Sequence, residues 1–149
     1  MPGTKTIERA EQDKREGKSP STQAGEFVHE EIDKIRKGEH GARSAKQAIA
    51  IGLSEARRAG LDLKPPKKGS VPEKSRKSAE SAYEKGQRHE PVSKTRSEAR
   101  EKALKRESTS TASHSALSAQ TRTAAKKRTT ANRSAAGKKA AATRAKHQN

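Results

Sequence analysis

Apolar residues are sparse along the chain, and only between residues 25 and 63 do they recur with a period. In GEFVHEEIDKIRKG, Val28, Ile32 and Ile35 follow an i, i+4, i+7 spacing and Phe27 borders the same arc, while Glu30, Asp33 and Lys37 lie opposite. The spacing predicts a helix over 26–37 that stops at Gly38. A second start signal follows at Ser44-Ala45-Lys46-Gln47, where the serine hydroxyl can accept from the N3 amide and the glutamine can reach back. Gly60 suits a left-handed helix end, Leu61 is placed for the accompanying apolar contact, and Pro65-Pro66 forbids continuation. The second helix is therefore expected over 45–59.

On that helix Ala45, Ala48, Ile49, Gly52, Leu53, Ala56 and Ala59 share one side, small enough for a partner helix to approach closely. Lys46, Ser54, Arg57 and Arg58 form the other, basic side. Ile51 lies off the stripe and is either an exposed residue or part of a second contact surface. The connection GEHGAR has a usual length for joining two helices, so residues 25–63 are expected to form a helical hairpin. Its packing residues are Phe27, Val28, Ile32, Ile35, Ile49, Leu53 and Ala56. An element of this size is insecure alone, and either a homodimer or a partner is expected to complete it.

Composition lowers the expectation for everything else. Ile, Leu, Val and Phe together number 14 in 149 residues, against a formal net charge of +17. Ordering a residue costs roughly 1 to 2 kcal/mol of backbone entropy, whereas burial returns about 25 cal/mol per Å² of apolar surface. The fold class expected is mostly disordered with a small all-α element. Residues 1–24 are read as a charged fraying arm, and residues 64–107 as a polar linker whose SKTRSEAREKALKRE stretch is a marginal helix. Residues 108–149 are read as a disordered basic tail.

The charge division is sharper than the apolar one. All 18 acidic residues precede Ser108, and nine Lys or Arg follow it: Arg122, Lys126, Lys127, Arg128, Arg133, Lys138, Lys139, Arg144 and Lys146. Such a segment pairs with a polyanion through release of condensed counterions. It has no aromatic residue for stacking on bases, and phosphate contacts carry no sequence information. Non-specific nucleic-acid binding follows as the expectation, duplex DNA ahead of RNA, with Lys46, Arg57 and Arg58 adding contacts from the second helix. The reading from a different class is a protein-interaction or stress-related module, in which the hairpin docks a partner and the tail confers solubility.

Catalysis is not expected, because a nucleophile needs a base in a water-excluding site that so small a core cannot build. His29, His40, His89, His114 and His147 lack the spacing that puts two ligands on one metal, and no cofactor, metal or small-molecule substrate is implied. GKS at 17–19 lacks the first glycine of a phosphate loop and any preceding strand. Cysteine is absent, and neither a signal peptide nor a membrane-spanning run is present, so the expected location is cytoplasmic, with nucleoid association if the tail binds DNA.

Two resemblances add to this. STQAGEFVHEEIDKIRKGEHGARSAKQAIAIGLSEARRAGLDLKPPKKG, residues 21–69, resembles a group of small basic bacterial proteins of uncharacterised function with a KQAIAIGLSEARRAG core and a Pro-Pro-Lys-Lys exit. The resemblance implies a bacterial cytoplasmic protein and no mechanism. The tail is similar in composition to the alanine- and lysine-rich tails of histone H1-like bacterial proteins.

Overall fold

The computed structural model describes residues 2–148, and they are helical nearly throughout. The elements are α1 (Thr4–Arg15), α2 (Pro20–Arg36), α3 (Ala45–Arg58), α4 (Glu73–Gln87), α5 (Lys94–Leu104), a 3₁₀ turn (Ser110–Ala112), α6 (His114–Lys126) and α7 (Thr130–Gln148). The expectation of a mostly disordered chain is overturned. Counting bulky side chains undercounts this core, because much of it is alanine: Ala10, Ala24, Ala42, Ala48, Ala56, Ala79, Ala82 and Ala112 are all buried. Helices faced with alanine and glycine approach closely, and backbone atoms then supply contacts that larger side chains supply elsewhere.

The chain divides into two compact units at Ser113/His114. In the first, the segment read as a fraying arm is α1, with Thr6, Ala10 and Asp13 buried at i, i+4, i+7 spacing. The Gly3 N–H ahead of α1 donates to both carboxylate oxygens of Glu30 on α2, at 2.8 and 3.1 Å. A carboxylate at a helix N-terminus satisfies a free amide and lies favourably in the helix dipole. Lower down, Ala10 joins Ala24, Phe27 and Ala56, with Leu53, Leu61 and Leu63 packed against them.

α2 starts six residues before the expected 26. Ser19 accepts from the Thr22 N–H and Pro20 occupies the first turn, a start signal that lies upstream of the apolar period. Its buried row is Gln23, Ala24, Phe27, Glu31 and Ile35, whereas Val28 and Ile32 are only half-buried. The stripe is thus rotated by about one residue from the Val28–Ile32–Ile35 reading, because α1 and α3 both pack on this helix.

α3 follows its local signals closely. Ser44 Oγ accepts from the Gln47 N–H at 3.1 Å, and Gln47 Oε1 accepts from the Arg43 N–H, one residue before the capping serine. At the far end Leu61 N–H donates to Ala56 O and Gly60 N–H to Arg57 O, with Gly60 at φ 93°, which is the paired closure that glycine allows. Ile51 is 5% exposed, so of its two readings the second contact surface holds: α3 packs α2 on one side and α4 on the other.

α4, in the segment read as linker, presents Ala79, Ala82 and Gly86 as its buried residues. A Cβ on Gly86 would overlap the Arg57 carbonyl oxygen, so only glycine permits that approach. α5 buries no residue. The chain around its end is gripped instead by the α2–α3 turn: Gly41 N–H donates to Leu104 O at 2.9 Å and Ala42 N–H to Ser108 O at 3.0 Å. Thr111 Oγ1 donates back to Ala42 O, and Arg36 Nε donates to Ala112 O at 2.8 Å. Ala112 completes a second cluster with Ile35, Ala42 and Ala48.

The second unit is also not a disordered tail. α6 and α7 are rich in alanine, with threonine, serine, lysine and arginine among the rest, and the Thr129 hydroxyl accepts from the Asn132 N–H at 3.1 Å to cap α7. Thr121, Thr123 and Thr143 turn their hydroxyls back onto carbonyls one turn earlier in their own helices.

Candidate nucleic-acid interface

The second unit carries cations without acids. Arg122 and Lys126 lie on α6, Lys127 and Arg128 in the turn after it, and Arg133, Lys138, Lys139, Arg144 and Lys146 on α7. All nine are exposed, and every acidic residue of the chain belongs to the first unit. No carboxylate within the unit therefore competes for them.

Their placement on α7 follows from the helical repeat. At roughly 100° per residue, Arg133 and Arg144 return to one side, Lys139 and Lys146 to a second, and Lys138 lies between them on a third. The five charges thus encircle a rod roughly 28 Å long. Encircling charges present positive potential all around the helix axis, whereas a single stripe presents it on one side.

The cations expected on the second helix fare differently. Lys46 is exposed on α3. Arg57 is only 7% exposed, and its Nε and Nη2 donate to the carbonyls of Leu63 and Lys64 at 3.0 and 3.3 Å. Burial pushes its guanidinium below the ordinary arginine range. Its role as a phosphate contact is corrected accordingly: it holds the chain leaving α3 and faces no solvent groove. Arg58 is half-buried, with Nη2 on the carbonyls of Glu90 and Pro91. The hairpin's apolar residues are likewise engaged internally: Phe27, Ile35 and Ala56 are fully buried, and Val28, Ile32, Ile49 and Leu53 half-buried.

Arg43 and Arg100 stand in no recognisable sequence pattern. They line a cleft of about 310 Å³ with Gln47, Ile51, Ser78 and Leu104. Their spacing of 57 residues leaves no local signal by which to pair them. Among the described residues no group of three His, Asp or Glu side chains is arranged to hold a metal ion. No helix among them is long and apolar enough to cross a membrane.

Residues 4–68 match a family model described as a family of unknown function (DUF6496). The matched stretch takes in α1, α2, α3 and the segment that Arg57 holds. It ends before α4, so the DUF6496 match excludes the cationic unit altogether. No curated protein and no solved structure matches the chain.

Proposed function

We propose that this protein binds nucleic acid without sequence specificity, through phosphate contacts made by the helical unit that begins at His114. The observation that carries the reading is nine exposed cations on a unit devoid of acids. Each lysine or arginine that neutralises a phosphate releases condensed counterions, which favours binding at moderate salt. With no aromatic residue in the unit, base stacking contributes nothing, and duplex backbone is the better match. The helices hold their charges at set spacings in place of the flexible polycation expected from sequence, and α7 has the diameter of an element that a major groove admits. Lys46, Arg43 and Arg100 are additional exposed cations on the first unit.

The protein-docking alternative is the weaker reading, because Phe27 and Ile35, which a partner would have to contact, are 0% exposed within the first unit. The test is a salt titration of affinity for random duplex DNA and duplex RNA, comparing the full chain with a variant carrying Lys138→Gln, Lys139→Gln, Arg144→Gln and Lys146→Gln. If all four cations touch phosphate, the log-log slope on DNA falls by about 3.6, since each contact contributes about 0.9. Equal slopes for the two proteins on both duplexes would reject the proposal.

A further inference from the structure

Glu31 is 1% exposed, and it interrupts the buried row of α2 between Phe27 and Ile35. Its Oε1 lies 3.0 Å from Nε2 of His40, whose side chain is 9% exposed in the α2–α3 turn. The other ring nitrogen, Nδ1, lies 2.9 Å from the carbonyl oxygen of Gly41. A carbonyl only accepts, so Nδ1 carries a hydrogen. In the neutral ring Nε2 then carries none. Glu31 Oε1 is not in line for a regular hydrogen bond and has no other hydrogen-bond partner among the described residues, so a buried carboxylate oxygen 3.0 Å from a nitrogen lone pair is favourable only when one of the two groups carries a proton. The proton belongs either to the Glu31 carboxyl or to the ring.

We propose that Glu31 and His40 hold one shared proton and form a pH-sensitive latch, in which loss of that proton loosens the grip of the 40–42 turn on residues 104–112. Without the proton, a buried carboxylate faces a nitrogen lone pair with almost no access to water. Relief requires the ring to turn, which breaks its bond to Gly41 O. Gly41 and Ala42 are the residues whose amides bind Leu104 O and Ser108 O, and a Cβ on Gly41 would overlap the Glu107 carbonyl oxygen. The turn and the 104–108 chain are packed too closely for one to move without the other.

The groups facing Glu31 are Glu55 from α3, His40 from the turn, Lys34 from its own helix and Arg100 from α5. Burial first, and then Glu55, push the Glu31 carboxyl above the ordinary glutamate range, against the pull of His40, Lys34 and Arg100. The device is independent of what the second unit binds.

Two measurements on the full chain test it. Histidine ring ¹⁵N NMR across about pH 5 to about pH 9 is expected to show His40 keeping hydrogen on Nδ1. Amide hydrogen exchange at Gly41 and Ala42, after correction for intrinsic chemistry, is expected to show an opening constant that rises by up to about tenfold per pH unit across the pair's step. Glu31→Gln carries no charge and can face the neutral ring with its NH2 or the protonated ring with its carbonyl oxygen, so it removes the step and leaves both amides protected. Hydrogen on Nε2 of the neutral His40 ring, or an opening constant in the natural chain that is flat with pH, overturns the latch. Both readouts come from the natural chain, so they decide the matter even if Glu31→Gln does not fold.

Discussion

Gly52 of α3 lies against the backbone of Val28 on α2: a Cβ added at residue 52 would come within 2.6 Å of the Val28 Cα and 2.9 Å of its nitrogen. Neither atom can yield as the end of a flexible side chain would. Gly52→Ala gains about 1 kcal/mol of helix propensity, but overpacking costs typically 1 to 3 kcal/mol and backbone is the obstacle here. The expected outcome is a net loss of stability, read as a lower denaturant midpoint with an unchanged slope. A midpoint that rises would mean that α2 and α3 are not so closely apposed.

Gly137 is the opposite case. It lies inside α7 with nothing within 4 Å of a built Cβ. Gly137→Ala is expected to favour α7 by about 1 kcal/mol, and Gly137→Pro to break it. Helical circular dichroism of the full chain should rise slightly with alanine and fall with proline. Identical spectra for both would show that α7 is not formed in solution.

Arg57 and Lys46 lie on the same helix and should separate stability from binding. Arg57→Gln removes the donors to Leu63 and Lys64 and is expected to cost about 2 kcal/mol or more, with no change in the salt slope for duplex DNA. Lys46→Gln, at an exposed position, should leave stability within about 0.5 kcal/mol. A reduced salt slope in Arg57→Gln would return that residue to the interface.

Adjacent carboxylates on α2 respond to pH with opposite signs. Partial burial pushes Glu30 up, but bonds from the Thr6 hydroxyl, the Gly3 N–H and Lys34 outweigh it and hold the carboxyl below its ordinary value. The stability it confers is present above the ordinary glutamate range and is lost as pH falls through the depressed value. Glu31 is raised, so its contribution is full below the ordinary glutamate range and is lost as pH rises through the raised value. Acid should therefore loosen α1 first, seen as faster amide exchange at Thr6 and Ile7, and Glu30→Gln should show that loosening already at neutral pH. If exchange at Thr6 and Ile7 did not respond to acid, Glu30 would not be the anchor of α1.

Local chemistry made part of this legible. The cap at Ser44, the glycine closure at Gly60 and the run of alanine between them act within a turn or two of chain, and α3 occupies Ala45–Arg58 where those signals place it. The separation of charge was equally plain, since it needs only the order of residues along the chain. Glu31 also carries a local signal: at i+4 from Phe27 and i−4 from Ile35, it falls on the core face.

The remainder depends on which surfaces meet. Side chains from Ala10, Ala79 and Ala82 look like weak helix surface until α2 or α3 approaches to backbone distance, so a count of bulky apolar residues cannot register them. Ile51, Arg57 and His40 took their places only when α4, the extended segment at Leu63–Lys64 and the 104–112 segment closed around them. Sequence alone determined the local helix ends and where the positive charge lies, because both are set by neighbours along the chain. Tertiary structure decided which cations remain free and which carboxylate is buried beside a histidine, because those depend on contacts between residues far apart in sequence.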